Sequence, residues 1–249
     1  MKQPRGGYIN PRSLDTEVLS NHAVLNSTEN VHASITGMAV DYLTRLASGA
    51  SPMEAFETSL RGAYLLEQAA IPALSDAKEA LGELKPGILP SVAAVVAACR
   101  LVRYNVVFRT GPGMYNPYAQ PEPDPATIEN IQTMVARAAA FFAQYGPIML
   151  DGFTFDGAYT EIVTAGDGDF LTSDTLWDCK VSVKGPTKDH TLQVLMYYLM
   201  GMKSGRAEFQ WITHLGVFNP GLNTVYRIKV AGIPDDVITE VSRDVIGYN

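Results

Sequence analysis

The sequence predicts an α/β protein in which a helical N-terminal half precedes a sheet flanked by helices. Three observations carry this prediction. Apolar residues recur at helical spacing from about residue 27 to residue 105, a proline-rich segment at 109–125 interrupts the pattern, and beyond Gly146 the apolar residues gather in short extended runs. Because 47% of the 249 residues are hydrophobic, the chain can bury a contiguous interior. The predicted division is a mainly helical region at 1–124, which includes the proline-rich linker, and an α/β core at 125–249.

The N-terminal half is expected to form helices behind an arm or irregular lead-in of about 27 residues. Ser51 to Glu54 reads Ser-Pro-Met-Glu, which is a capping box with proline at the first helical position, so a helix is expected to begin there. Val106 to Phe108 is the one candidate strand in this half. Further helices are expected at about residues 27–47, 74–84 and 91–105.

From residue 125 onward the expected order of elements is helix, three strands, helix and strand. Asp124 and Pro125 form a helix start, and one apolar stripe continues from there to Gly146. A nearly all-apolar helix is expected at about 188–202, and a closing helix from Pro234. Extended segments are expected around residues 153–163, 169–171, 176–183, 209–218 and 224–230.

Composition narrows the class of protein. The longest apolar run, Val92 to Cys99, is far shorter than the roughly 20 residues of a membrane span, and the first residues lack the apolar segment of a signal peptide. No membrane partner is therefore expected. Two cysteines, Cys99 and Cys179, are too few for a disulfide framework or a cysteine-based zinc site, so the reducing cytoplasm is the expected location.

Charge is distributed unevenly along the chain. The formal net charge of −7 opposes nonspecific association with nucleic acid. Between Asp178 and Arg206, however, five basic residues stand against two acidic ones, which gives this segment a net charge of +3. The basic residues are Lys180, Lys184, Lys188, Lys203 and Arg206. This part of an acidic chain is suited to binding a phosphate backbone.

Two carboxylates and a lysine stand close together in the same region. Strand alternation puts Asp178 and Lys180 on one face, and Asp169 precedes them in the neighbouring predicted strand. Charged groups on an internal strand need partners, because an unpaired buried charge costs several kcal/mol. A divalent cation held by both carboxylates would supply one, and hard oxygen ligands favour Mg²⁺ or Mn²⁺. Such a cation beside a phosphate would support hydrolysis.

With Gln193 and Tyr197 on the following helix, these residues resemble the PD-(D/E)XK nuclease superfamily, in the branch of RecB-type and lambda-exonuclease-type nucleases that carries a Gln-x-x-x-Tyr helix. The resemblance covers residues 125–218 and implies a mixed sheet flanked by helices with a core of order αβββαβ. It also implies magnesium or manganese as cofactor and nucleic acid, with DNA favoured, as substrate. Position by position, it assigns metal binding to Asp169, Asp178 and the main-chain carbonyl of Cys179, the motif lysine to Lys180, and the auxiliary motif to Gln193 and Tyr197.

The sequence departs from the family pattern at two points. Gly168 stands where the formal motif has proline, which leaves the chemistry unchanged. Many members also carry a metal-binding glutamate on the helix before the first strand. Glu129 is the acid available for that role, although it lies nearer the helix start than the family ligand. Asp167 competes with Asp169, because residues two apart on a strand share a face.

The resulting expectation is a metal-dependent nuclease that hydrolyses phosphodiester bonds, with Lys180 orienting or deprotonating the attacking water. His190 is either a phosphate contact or a solvated residue at a helix start. Trp177 and Trp211 are expected in the core rather than as platforms for stacked bases. Four basic side chains are expected to grip flanking phosphates, namely Lys184, Lys188, Lys203 and Arg206.

Alternatives to this interpretation stay open. A structural ion pair would also explain Asp178 and Lys180, and Gln193 and Tyr197 would also fit a core helix whose polar tips meet backbone groups. The chain would then be a nuclease-fold protein that binds nucleic acid or takes part in assembly without catalysis, or a protein-interaction module. The sequence does not distinguish DNA from RNA or exonuclease from endonuclease. A homo-oligomer is possible, but no interface can be identified from the sequence.

Overall fold

The computed structural model describes residues 3–116 and 122–248. The proline-rich linker predicted at 109–125 therefore lies partly outside the described residues. Within the part of the chain that is described, no helix combines the length and the apolarity needed to cross a bilayer.

The chain forms two compact units. One contains the residues up to Asn21 and those from Phe141 onward, and we call it the sheet unit. The other contains residues 22–140, and we call it the helical unit. The sheet unit is thus assembled from two separate stretches of sequence.

The helical unit is built from helices, the last of which continues into the sheet unit. They are α1 (Ala33–Ala47), α2 (Pro52–Ala55), α3 (Glu57–Gln68), α4 (Leu74–Gly82), α5 (Val92–Val102), α6 (Asn105–Thr110) and α7 (Pro125–Tyr145). Buried leucine, valine and alanine side chains from α1, α3 and α5 fill its interior. Gly62 lets α3 approach the carbonyl oxygen of Tyr104, since a Cβ at this position would lie 2.0 Å from that atom.

Helix boundaries in this unit agree with the sequence in part. The capping box at Ser51 is confirmed, because its hydroxyl accepts the amide of Glu54 while the Glu54 carboxylate accepts the amide of Ser51. The first helix begins at Ala33, later than expected, because the side chain of His32 provides the N-cap. The strand expected at 106–108 is wrong, since these residues lie in α6.

The sheet unit contains one mixed sheet. Its strands are β1 (Asp15–Val18), β2 (Leu150–Thr154), β3 (Asp167–Leu171), β4 (Thr175–Cys179), β5 (His214–Asn219) and β6 (Thr224–Lys229). Within the described residues they lie in the order β1-β6-β5-β4-β3-β2, and the β4–β5 pair is parallel while the others are antiparallel. Helix α8 (Lys188–Ser204) joins β4 to β5, as a parallel pair requires. Helix α9 (Asp235–Glu240) and a π-helical turn at Val241–Ile246 follow β6.

The order of elements expected from residue 125 is observed, with shifted bounds. Strand β2, the first strand after α7, is shorter than the segment predicted at 153–163 and begins earlier, because only residues 150–154 pair with β3. The segment predicted as a strand from 209 begins instead with a 3₁₀ turn at Ala207–Trp211. A mixed sheet flanked by helices, as the sequence predicted, is therefore what the chain forms.

The first residues of the chain, expected to form an arm or irregular lead-in, contain strand β1. Strand β1 pairs antiparallel with β6, with Asp15 opposite Arg227. Strand β1 thereby belongs to the sheet unit, and the two compact units meet in sequence at residues 140–141, within α7. All four residues of β1 are exposed, and its sequence lacks the alternation of apolar and polar residues that would predict a strand.

Burial is deepest around the two central strands. Trp177 on β4 is fully buried, as expected, and its ring meets Phe141 edge-on at 4.8 Å between centroids. Phe141 in turn stacks on Phe218 of β5 at 4.2 Å. Gly216 makes room for the indole, because a Cβ there would lie 2.3 Å from it. Asp178, which follows Trp177, therefore lies on a tightly packed strand.

Candidate active site

The candidate site is centred on Asp178, near the end of β4. Its side chain points to the same side as that of Lys180, as strand alternation predicted, and the Lys180 Nζ donates a hydrogen bond of 2.9 Å to Asp178 Oδ1. Asp178 is only 1% exposed. Its second oxygen, Oδ2, is buried and has no hydrogen-bond partner among the described residues. A buried carboxylate oxygen of this kind needs a cation or a hydrogen-bond donor, which the described residues do not provide.

Asp169 lies on β3, the strand beside the one that carries Asp178. The β3–β4 register pairs Phe170 with Trp177 and Leu171 with Leu176, and Asp169 and Asp178 are the next residues of the two strands beyond the Phe170–Trp177 pair. Asp169 Oδ2 accepts a 2.7 Å hydrogen bond from the main-chain amide of Cys179. The structure thus brings together both predicted acids, the residue between the second acid and the lysine, and the lysine itself.

Electrostatics at this pair reflect burial and mutual attraction. Burial raises the pKa of Asp178, and the Lys180 ammonium opposes that rise without cancelling it. For Lys180, burial alone would lower the pKa, but the Asp178 carboxylate, with a smaller contribution from Asp169, outweighs it and the pKa is raised. Lys180 is therefore held as a cation, which suits charge stabilisation and orientation of a water better than removal of its proton.

Helix α8 presents the predicted auxiliary motif towards the carboxylates. Gln193 Nε2 donates a 2.9 Å hydrogen bond to the hydroxyl of Tyr197, so the two side chains share a face as their spacing predicted. Burial is the main cause of the raised pKa of Tyr197; the hydrogen bond from Gln193 opposes it, and the carboxylates of Asp167 and Asp178 add to it. The Tyr197 hydroxyl therefore lies within the electrostatic reach of the site.

His190 lies one turn before Gln193 and belongs to the same helix face. Its Nδ1 accepts the amide of Thr187 at 3.3 Å within the N-terminal capping box of α8. Burial lowers the pKa of His190, and the neighbouring Lys180 ammonium lowers it further. The neutral ring then carries its proton on Nε2. The sequence left His190 between a phosphate contact and a solvated residue; the structure shows it half-buried in the capping box of α8, and the phosphate contact stays a prediction.

The four basic residues expected to grip phosphates lie towards two ends of α8. Lys184 is exposed in the loop before the helix, and Lys188 is exposed at its first residue. Lys203 lies near the far end, 5.5 Å above the ring of Tyr248. Arg206 follows that end and pairs with Glu208 at 3.6 Å. A 17-residue helix is about 25 Å long, so one phosphate cannot contact both groups.

Three further residues named in the sequence analysis are Glu129, Asp167 and Trp211. Glu129 belongs to the helical unit, where its carboxylate accepts a 3.0 Å hydrogen bond from the side chain of Asn26. Its role as a metal ligand stays a prediction. Asp167 is the exposed first residue of β3. Trp211 is 74% exposed, so its expected place in the core is wrong.

Sequence reasoning did not single out Asn219, the last residue of β5. This side chain is buried and bonds to the main chain of the loop after Lys180. The residue type alone does not indicate this role, because the contact depends on β5 lying parallel beside β4.

A comparison of the chain with protein-family models, curated proteins and solved structures found no match.

Proposed function

We propose that this chain is a metal-dependent nuclease of the PD-(D/E)XK type that hydrolyses phosphodiester bonds of nucleic acid, with DNA as the favoured substrate. The observation that carries the proposal is the Asp178 carboxylate, which is almost wholly buried, paired with Lys180 through one oxygen and without a hydrogen-bond partner within the described residues at the other. A purely structural ion pair would gain from satisfying both oxygens.

The arrangement of elements supports the same proposal. Helix α7, strands β2 to β4, helix α8 and strand β5 follow one another in the order that the nuclease resemblance implies. The acids lie on adjacent strands and the Gln-x-x-x-Tyr pair lies on the next helix. This agreement involves non-local pairings that sequence spacing alone does not dictate.

The donor set fits a hard divalent cation. Among the described residues, no group of three or more histidine, cysteine and carboxylate side chains lies together as a metal site. Asp169, Asp178 and the main-chain carbonyl of Cys179 would hold the ion, and its other ligands would be water and substrate phosphate. Magnesium commonly binds in this way, through one or two carboxylates and several waters, and manganese accepts similar ligands. When bound, the cation would polarise the phosphate and lower the pKa of a coordinated water.

The chain's own residues would supply orientation and charge. The Lys180 ammonium, fixed by Asp178, would hold the attacking water and neutralise charge that develops on the phosphate. Tyr197, oriented by Gln193, would position that water or a phosphate oxygen. Asp169 is in turn held in place by the Cys179 amide.

The exposed lysines nearest in sequence to the site would bind the flanking backbone. Lys184 and Lys188 precede and begin α8, on the same helix end as His190. We assign phosphate binding beside the scissile bond to this end. Lys203 and Arg206 would contact a more distant part of the substrate, since about 25 Å of helix separates the two ends.

Cleavage of linear and circular DNA and RNA, with magnesium and with chelator, tests this function. Magnesium-dependent cleavage is expected, and Lys180→Ala should lower its rate by about a hundredfold or more. Lys229→Ala is the matched control, because this exposed lysine ends β6 away from the carboxylates. Equal rates for Lys180→Ala and the parent would overturn the assignment of Lys180, and no cleavage of any substrate would overturn the function.

A nuclease-fold protein that binds nucleic acid without cutting it is the second candidate. The observation that favours it is the Asp178–Lys180 ion pair, which already satisfies the lysine and one carboxylate oxygen. This candidate predicts nucleic-acid binding that is equally strong in chelator and in magnesium, together with no loss of substrate over long incubation.

A further inference from the structure

The loop that follows β4 is held by one buried side chain, Asn219 at the end of β5. Asn219 is 1% exposed. Its Nδ2 donates to the main-chain carbonyl oxygens of Ser182 (2.9 Å) and Lys184 (3.0 Å). Its Oδ1 accepts the amides of Ser182 (3.4 Å) and Leu222 (3.2 Å). One side chain therefore satisfies several main-chain groups of a loop that has no regular structure of its own.

The same loop begins at Lys180 and is tied to β5 along its length. The Lys180 amide donates to the carbonyl of Phe218 at 2.9 Å. Ser182 Oγ accepts the amide of Lys184 at 3.1 Å. Gly221 permits the close approach, because a Cβ at this position would lie 2.8 Å from the Ser182 carbonyl oxygen. The course of the segment from Lys180 to Lys184 is thus set by the end of β5.

The turn between β5 and β6 contains a second buried asparagine with similar chemistry. Asn223 is 2% exposed, and its Nδ2 donates to the carbonyl oxygens of Leu19 (2.9 Å) and Asn21 (2.8 Å). It holds the segment after β1 rather than the loop after β4. The two asparagines therefore provide a matched pair, of which only Asn219 acts on the segment that carries Lys180.

We propose that Asn219 is a positioning residue for hydrolysis, which acts by holding the 180–184 loop so that the Lys180 ammonium stays against Asp178. The inference rests on the proposed function, and it adds a residue that acts through Lys180 rather than on the substrate. A displacement of about 1 Å near the reacting atoms can cost about a hundredfold in rate. We therefore expect kcat to fall more than KM rises when the loop is released.

Three variants test this inference. Asn219→Ala removes the side chain, and Asn219→Asp keeps the acceptors but cannot donate to the carbonyl oxygens of Ser182 and Lys184. Asn223→Gly is the control, because glycine adopts the φ of +52° at that position without strain. Cleavage kinetics are measured at a temperature where each variant is folded, together with amide hydrogen exchange of residues 182 and 184.

Both Asn219 variants are expected to lower kcat by about 10- to 100-fold, with a smaller change in KM, and Asn219→Ala, which also removes the acceptor of the Ser182 amide, is expected to speed exchange of the loop amides. Asn223→Gly should leave kcat and loop exchange at the parental values. A parental kcat in Asn219→Asp, or an equal loss in Asn223→Gly, would overturn the inference. An inactive parent would instead overturn the proposed function, while the exchange data would still report whether Asn219 holds the loop.

Discussion

Two buried polar clusters, one in each unit, differ in how completely their members are paired. In the helical unit, Asn105 is 1% exposed, accepts the Ser59 hydroxyl at 2.7 Å and donates to the Tyr42 hydroxyl at 2.7 Å. In the sheet unit, Asp178 is equally buried, but Oδ2 has no hydrogen-bond partner among the described residues. The first cluster is neutral and satisfied at both ends of the amide. The second carries charge and is incomplete, which is the difference expected between a structural and a functional site.

The largest expected effect separates the two clusters by activity. Asp178→Asn keeps the shape of the side chain but removes the charge that would hold the cation. A loss of about 4 kcal/mol of transition-state stabilisation would lower cleavage roughly a thousandfold. The unfolding free energy should fall by about 1 to 3 kcal/mol, because the substitution removes a costly buried charge but leaves the Lys180 ammonium without its ion-pair partner. Cleavage rates and denaturant unfolding measure both quantities, and parental cleavage by this variant would erase the distinction between the clusters.

The second expected effect is a loss of stability in the helical unit without a loss of cleavage. Asn105→Ala leaves the hydroxyls of Ser59 and Tyr42 buried without their partner, so the unfolding free energy of the helical unit should fall by about 2 to 4 kcal/mol. Cleavage per folded molecule should not change. Denaturant titration and rates measured well below the melting temperature check this. A large loss of cleavage in the folded variant would mean that the helical unit contributes to the reaction itself.

Magnesium binding should also distinguish the two clusters, through its effect on the melting temperature. An ion that binds only the folded site stabilises it by about 2.7 kcal/mol at a hundred times its Kd, which is a rise in Tm of about 5 to 10 °C for a domain of this size. The parent and Asn105→Ala should both show the rise, and Asp178→Asn should not. Differential scanning calorimetry with magnesium or chelator measures it. An equal rise in all three proteins would indicate that the ion binds elsewhere.

The smallest effect concerns a surface carboxylate. Hydrogen bonds from Tyr145 and Gln144 lower the pKa of Glu17, which lies on β1. A lowered pKa adds stability that is fully present above the unfolded pKa and is lost as the pH falls through the folded pKa. Solvent screening limits the contribution to less than about 1 kcal/mol. Stability measured from pH 7 to pH 3 should fall less steeply in Glu17→Gln, and an unchanged slope would contradict the assignment.

The parts of the site that follow local periodicity were predictable. Alternation put Asp178 and Lys180 on one face, and a four-residue spacing joined Gln193 to Tyr197. Both patterns depend only on the geometry of a strand or a helix. Helix α7 likewise followed from one apolar stripe behind Asp124, which caps it through the amide of Thr127.

The parts that depend on distant pairing were not predictable. Strand β1 has four exposed residues and is defined by its partner β6, so no pattern within it indicates a strand. Asn219 contacts the loop after β4 because β5 lies beside β4. Trp211 is exposed despite its large apolar ring, and residue type alone does not determine which side of a short turn faces solvent.

The pairing of β1 with β6 has a consequence for biosynthesis. Asp15 leaves the ribosome long before its partner Arg227 is made, and the whole helical unit is translated in between. The nascent β1 segment therefore has no β6 to pair with while the helical unit is synthesised. Its sequence, Asp-Thr-Glu-Val, carries two negative charges in four residues, which discourages edge-to-edge association with other chains during that delay.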